Sequence, residues 1–168
     1  MPCVMRWPGK IPSGAVQDEV CTTMDLLPTF AKLAGAPPPA KPTDGRDISG
    51  LIFGTPGAKS HWDGTGFGYY CMDQLQAIRA GEWKLYLPLP NKYVTLSRKM
   101  EVAKPELYNV RHDLHEDQEV SAQHPAVVKR LSALAEAIRA DVGDMDQQGS
   151  GQRAAGWVAS PSPLLLTP

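Results

Sequence analysis

Residues 24–35 read MDLLPTFAKLAG, and the spacing predicts a short helix with a legible start and stop. Leu27, Phe30, Ala31 and Ala34 recur at the helical period, while Leu26 and Leu33 widen the apolar stripe. Asp25 is placed to cap the N-terminus. Pro28 falls in the first turn, where its missing N–H has no intrahelical partner to lose. Gly35 suits the left-handed residue that closes a helix, and Pro37, Pro38 and Pro39 forbid continuation. A helix apolar on more than half its circumference needs a larger apolar surface beside it. The rest of the chain does not read as supplying all of that surface.

Upstream, residues 2–7 (PCVMRW) read as a short strand stopped by the turn dipeptide Pro8-Gly9. Downstream, APPPAK at 36–41 is a stiff, extended connector. TDGRD at 43–47 is a turn cluster, and residues 48–53 form a short apolar helical turn ending at Gly54. A polar loop over 55–66 is the expected boundary between a first unit, residues 1–57, and a smaller one, residues 58–143.

The smaller unit carries the clearest β pattern. FGYYCM at 67–72 is aromatic and strand-prone, Asp73-Gln74 separates it from LQAIRA at 75–80, and Gly81-Glu82 leads into WKLYL at 83–87. Two hairpins in succession predict an antiparallel meander, which ELYNV at 106–110 extends by a fourth strand. Val127, Val128, Leu131, Leu134, Ala135, Ile138 and Val142 then repeat at three and four residues. They predict a long helix with Pro125 at its first position, Gln123 or Ser121 as cap, and Gly143 as its end. Residues 144–168 show no periodicity and read as an irregular tail.

Composition excludes several roles. The 168 residues carry a net charge of −1, so no basic face recommends nucleic acid or an anionic membrane as partner. No apolar run approaches the length of a spanning helix. Cys3, Cys21 and Cys71 are too few for a disulfide framework and lack CxxC spacing; each reads as a small buried apolar residue, with one disulfide still possible.

Three motifs in order carry a resemblance. PCVMRWPGKIPSGAVQDEV with TTMDLLPTFAKLAGA, then TDGRDISGLIFG, then LQAIRAGEWKLYL with ELYNVRHDLHEDQEVSAQHPAVVKRL, resemble the C-terminal stretch of type I (arylsulfatase-like) sulfatases across roughly residues 2–142. The resemblance implies an α/β fold: the end of an alkaline-phosphatase-like catalytic domain, then a small antiparallel sheet packed with a C-terminal helix. It implies a parent enzyme that hydrolyses sulfate esters with a formylglycine nucleophile made within C/S-x-P/A-x-R. A divalent cation, usually calcium, polarises the sulfate in that family, because charge on the ester and leaving oxygens must be met by converging cations. Such parents are often secreted, periplasmic or lysosomal.

None of these catalytic parts is found in this chain. Cys3 is followed by Met5 and Trp7, Cys21 by Thr23 and Asp25, and Cys71 by Asp73 and Leu75, none with the required Pro or Ala and Arg. In the family, nucleophile and metal ligands lie upstream of the position matching Met1. No catalytic residue, metal ligand or cofactor is therefore assigned here. Two departures fall inside the match: the usual D-P-x-E-x-x-N loop is DLHEDQE at 113–119, and LYDL is LYNV at 107–110.

The family's small subdomain lends loops to the mouth of the active site, which makes His61, Trp62, Lys92 and Tyr93 candidates for a substrate rim. Cations and aromatics suit an anionic aryl or sugar sulfate. His112, Asp113, His115, Glu116 and Asp117 are potential metal ligands, yet they read as a solvated loop for want of a fixing second shell. Trp83 reads as core and Lys84 as its solvent-facing neighbour. Two functions remain open. In the first, the chain is the C-terminal part of a sulfatase whose partners are the N-terminal catalytic region and a sulfated small molecule or glycan. In the second, it is a non-catalytic module that binds a sulfated ligand or another chain.

Overall fold

The computed structural model describes residues 3–89, 103–154 and 156–162. Four antiparallel strands form one sheet in sequence order: β1 (Phe67–Cys71), β2 (Gln74–Ala80), β3 (Trp83–Tyr86) and β4 (Glu106–Asn109). The register sets Gly68 opposite Ile78, Ile78 opposite Leu85, and Leu85 opposite Leu107, so one face of the sheet is apolar. A bulge at Tyr69/Tyr70 shifts the pairing of β1. The turn between β1 and β2 is Met72-Asp73, one residue earlier than expected, with Met72 at φ +56.

The long helix α4 (Pro125–Val142) lies on that apolar face. Leu131 and Ala135 are fully buried against Leu75, Ile78, Leu85 and Leu107, and burying one leucine contributes roughly 2 kcal/mol. Pro125 stands at the first helical position, as the sequence predicts, and Gly143 closes the helix at φ +96. Neither Gln123 nor Ser121 is the cap. His124 occupies that position and stacks against Trp83, with ring centroids 4.8 Å apart.

The N-terminal part is less regular. A 3-10 turn (Thr23–Asp25) leads into α1 (Leu26–Leu33), and Gly35 follows at φ +66. The short helices α2 (Ser49–Ile52) and α3 (Trp62–Thr65) complete it. Residues 3–7 are not a strand; Trp7 O instead accepts from the N–H groups of Lys10 and Ile11. A strand exists through its neighbour's hydrogen bonds, and no described segment pairs with this one. α1 buries Thr29, while Leu27 is 58% and Phe30 55% exposed, so the described residues leave that part of its apolar stripe uncovered.

The C-terminal region also departs from the sequence reading. After α4, β5 (Gly143–Asp144) pairs with β6 (Gln147–Gln148). Asp144 Oδ1 accepts the Leu75 N–H at 2.9 Å, Oδ2 accepts Arg139 Nε at 2.7 Å, and Tyr70 OH donates to Gly143 O at 2.7 Å. Residues 144–152 are thus fastened rather than irregular, through Asp144 to the sheet and through Ser150, Gly151 and Gln152 to the end of α4. The cysteines depart as well: all three are free, Cys3 and Cys21 are exposed, and Cys71 is half-buried.

Candidate functional site

Asp25 is the organising group of the N-terminal part. It is fully buried and accepts five hydrogen bonds. Thr22 N–H (2.8 Å) and Oγ1 (3.1 Å) reach it from the preceding turn, and Arg46 N–H (3.0 Å) from the 43–47 turn. His61 Nε2 (2.8 Å) and Trp62 Nε1 (3.1 Å) reach it from the start of α3. Burial pushes its pKa up, but the donors from Arg46, His61, Thr22 and Trp62 outweigh burial and hold it below the usual 3.8. It stands at the N-cap position of α1 but its side chain makes no cap bond to that helix, and instead anchors several other segments.

Two of the four rim candidates are therefore brought together, on Asp25. Trp62 is 7% exposed, and its ring also meets Phe67 edge-on at 5.3 Å. His61 and Trp62 border a cavity of about 410 Å³ whose wall also includes Arg46, Tyr70 and Ile138. Lys92 and Tyr93 lie outside the described residues.

Lys84 is not the solvent-facing neighbour that alternation predicts. Its Nζ lies 2.8 Å from Tyr86 OH and 2.6 Å from Glu116 Oε1, and 4.6 Å from the Tyr86 ring centroid. Tyr86 OH in turn donates to Glu116 Oε2 at 2.6 Å. Burial works against the charge of Lys84, yet Glu116 and Tyr86 hold its pKa above the ordinary lysine value. Glu116 reaches this position from a backbone at φ +59. Asp113 spends its two oxygens on the N–H groups of Asp117 (3.1 Å) and Gln118 (2.8 Å), shaping the loop that presents Glu116.

The oxygens of Asp25, Asp113 and Glu116 are taken by protein donors, and no three His, Cys, Asp or Glu side chains gather as ligands among the described residues. No described helix is long and apolar enough to cross a membrane. What sequence reasoning missed is a cleft of about 550 Å³ walled by Arg79, Arg111, Arg130, Asp63 and Trp83. The side chains come from five separate segments, so no local pattern in the sequence announces it.

A family model described as the C-terminal region of aryl-sulfatase matches residues 65–162. The chain belongs to the aryl-sulfatase family. The matched region holds the β1–β4 meander, α4 and the β5–β6 hairpin. Mouse steryl-sulfatase is 36% identical over 96 residues, which is 54% of this chain and 15% of that protein. Human arylsulfatase A is 40% identical over 88 residues, 51% of this chain and 17% of that protein. The N-acetylgalactosamine-6-O-sulfatase of Bacteroides thetaiotaomicron reaches further, at 29% identity over 144 residues and 83% of this chain, yet only 27% of its own length is covered. A solved sulfatase from Bacteroides thetaiotaomicron, studied in glycosaminoglycan metabolism, superposes with a TM-score of 0.61 at 27% identity, covering 80% of this chain and 28% of that one. The chain thus spans well under a third of each of these sulfatases.

Proposed function

We propose that this chain is the C-terminal part of a sulfate-ester hydrolase and acts by completing a catalytic domain whose nucleophile and metal ligands lie in other polypeptide. The observation that carries the reading is the outer face of α1. Leu27 and Phe30 are exposed on α1, with Met24 exposed on the 3-10 turn before it, while Asp25 and Thr29 hold the inner side. Thr29 Oγ1 accepts the Ile48 N–H at 3.0 Å and donates to Asp25 O at 2.6 Å, so the helix cannot roll over to hide its apolar side without breaking buried hydrogen bonds. That face is shaped for a neighbour, and the family supplies one in the α/β catalytic domain, of alkaline-phosphatase-like fold.

In that arrangement the cysteines of this chain are not the formylglycine precursor, since none stands in the C/S-x-P/A-x-R pattern. A divalent cation, calcium in most of the family, would be held by the catalytic domain and would polarise the sulfate when bound. The substrate would be an aryl or sugar sulfate, and Lys92 and Tyr93, with His61 beside the 410 Å³ cavity, would form part of its rim. All the relatives named above are sulfatases, which favours this reading over a non-catalytic ligand-binding remnant. The test is an assay of the isolated chain with a chromogenic aryl sulfate and added calcium. No turnover is expected, and catalytic release of sulfate by these residues alone overturns the proposal.

A further inference from the structure

The two edges of the four-stranded sheet are not alike. At β4 the edge is covered: Leu107 gives its N–H to Glu119 Oε1 (3.1 Å), and its O accepts the Val120 N–H (3.0 Å). At the other edge β1 pairs with β2 alone, and no described segment bonds to the outward backbone groups of Phe67–Cys71. An uncovered edge of this kind is a template for one more strand.

The 410 Å³ cavity lies along that edge, with Phe67 and Gly68 of β1 in its wall. It is apolar on both sides of the strand. Ile138 and Val142 come from α4, on the inner face, and Ile138 Cδ1 stands 3.5 Å from where a Cβ on Gly68 would be. Trp62, edge-on to Phe67, lines it from the outer face. Side chains of an added strand alternate between the two sides. Because both sides are apolar, the matching sequence is a continuous apolar run rather than an alternating one.

The chain carries such a run close by. After the β5–β6 hairpin, the N–H groups of Ser150 and Gly151 bond to the carbonyls of Ala140 (2.9 Å) and Asp141 (2.8 Å), and Gln152 Nε2 bonds to Val142 O. Asp141 and Val142 line the cavity, so the chain passes its margin at Gln152. Residues 163–168, outside the described set, read PLLLTP. The stretch from Gln152 to Leu164 spans about 40 Å when extended, against about 17 Å for the length of β1. Pro163 and Pro168 have no N–H to give to a ladder, which limits a paired segment to residues 164–167. A short tether also holds the run near the cavity at an effective concentration on the order of millimolar.

We propose that residues 164–167 dock as a fifth strand on the outer edge of β1, their leucines divided between Ile138 and Val142 on one side and Trp62 on the other. The strand closes the sheet edge within this chain, so the inference stands whether or not the sulfatase reading of the whole protein holds.

The experiment is amide hydrogen exchange of the 168-residue chain, beside the same chain with Leu164→Ser, Leu165→Ser and Leu166→Ser together. In the triple variant residues 67–71 exchange at least about tenfold faster, while residues 75–80 of the central strand keep their rate and show that the sheet is intact. The slow exchange of 67–71 in the parent chain is the same at every protein concentration. Equal exchange of 67–71 in the two chains overturns the inference. So does protection that rises with protein concentration, which assigns the edge to a second copy, or protection that appears only when the remainder of the parent sulfatase is added, which assigns it to the catalytic domain.

Discussion

The indole N–H of Trp62 donates to Oδ2 of Asp25 at 3.1 Å, joining residues 37 positions apart in sequence. With His61 on Oδ1, this bond ties α3, at the edge of the sheet unit, to the start of α1. The tie crosses the expected boundary between the two units. It is buried on both sides, so its loss leaves donors with nothing to bond. Asp25→Ala should therefore lower stability by about 3 kcal/mol, read as a fall in the urea midpoint. A loss below about 1 kcal/mol would show that water replaces the carboxylate.

The same carboxylate sets an acid limit. Its folded pKa is below the unfolded value near 3.8, so its contribution is complete above that value and disappears as pH falls through the folded one. Asp47, also buried in part but bonded by Lys32 and Ser49, is depressed in the same direction. Urea midpoints measured from pH 7 down to about 2 should stay level and then drop below about pH 4. Asp25→Asn should flatten that drop, and an equally steep loss in the variant would assign it to other groups.

Backbone contact makes a sharper prediction at Gly45. A Cβ there would lie 1.9 Å from the carbonyl O of Met24, inside the turn whose next residue, Arg46, gives its N–H to Asp25. Gly45→Ala should cost about 2–3 kcal/mol, because backbone rather than a flexible side chain must yield. Gly64 in α3 has nothing within 4 Å of a built Cβ, so Gly64→Ala should be neutral or gain up to about 1 kcal/mol from helix propensity. Equal urea midpoints for the two variants would contradict this reading.

What was legible in the sequence follows from how local each interaction is. The meander was readable because Leu85 and Leu107 alternate with polar neighbours and Gly81 supplies the φ of +60 that its turn requires. α4 was readable from its own period. The strand assigned to residues 2–7 does not form over the described residues 3–7, because Val4 and its neighbours have β propensity but no partner ladder among the described residues. Lys84 alternates like a surface residue, and only Glu116, 32 positions away and at φ +59, draws it in. The hairpin after α4 depends on Asp144 meeting the Leu75 N–H, 69 positions back, which no local pattern encodes. Of the site, His61 and Trp62 meet on Asp25, a shared partner that the sequence presents only as a cap.

The central claim is that the exposed Leu27 and Phe30 face completes a catalytic domain carried elsewhere in the parent. The direct measurement is sulfate release after mixing this chain with the separately produced remainder of the parent sulfatase, beside a Leu27→Glu, Phe30→Glu chain. Activity should appear only in the mixture with the unmodified chain and fall at least about tenfold with the doubly substituted one. Full activity with the substituted chain, or in the remainder alone, would contradict it.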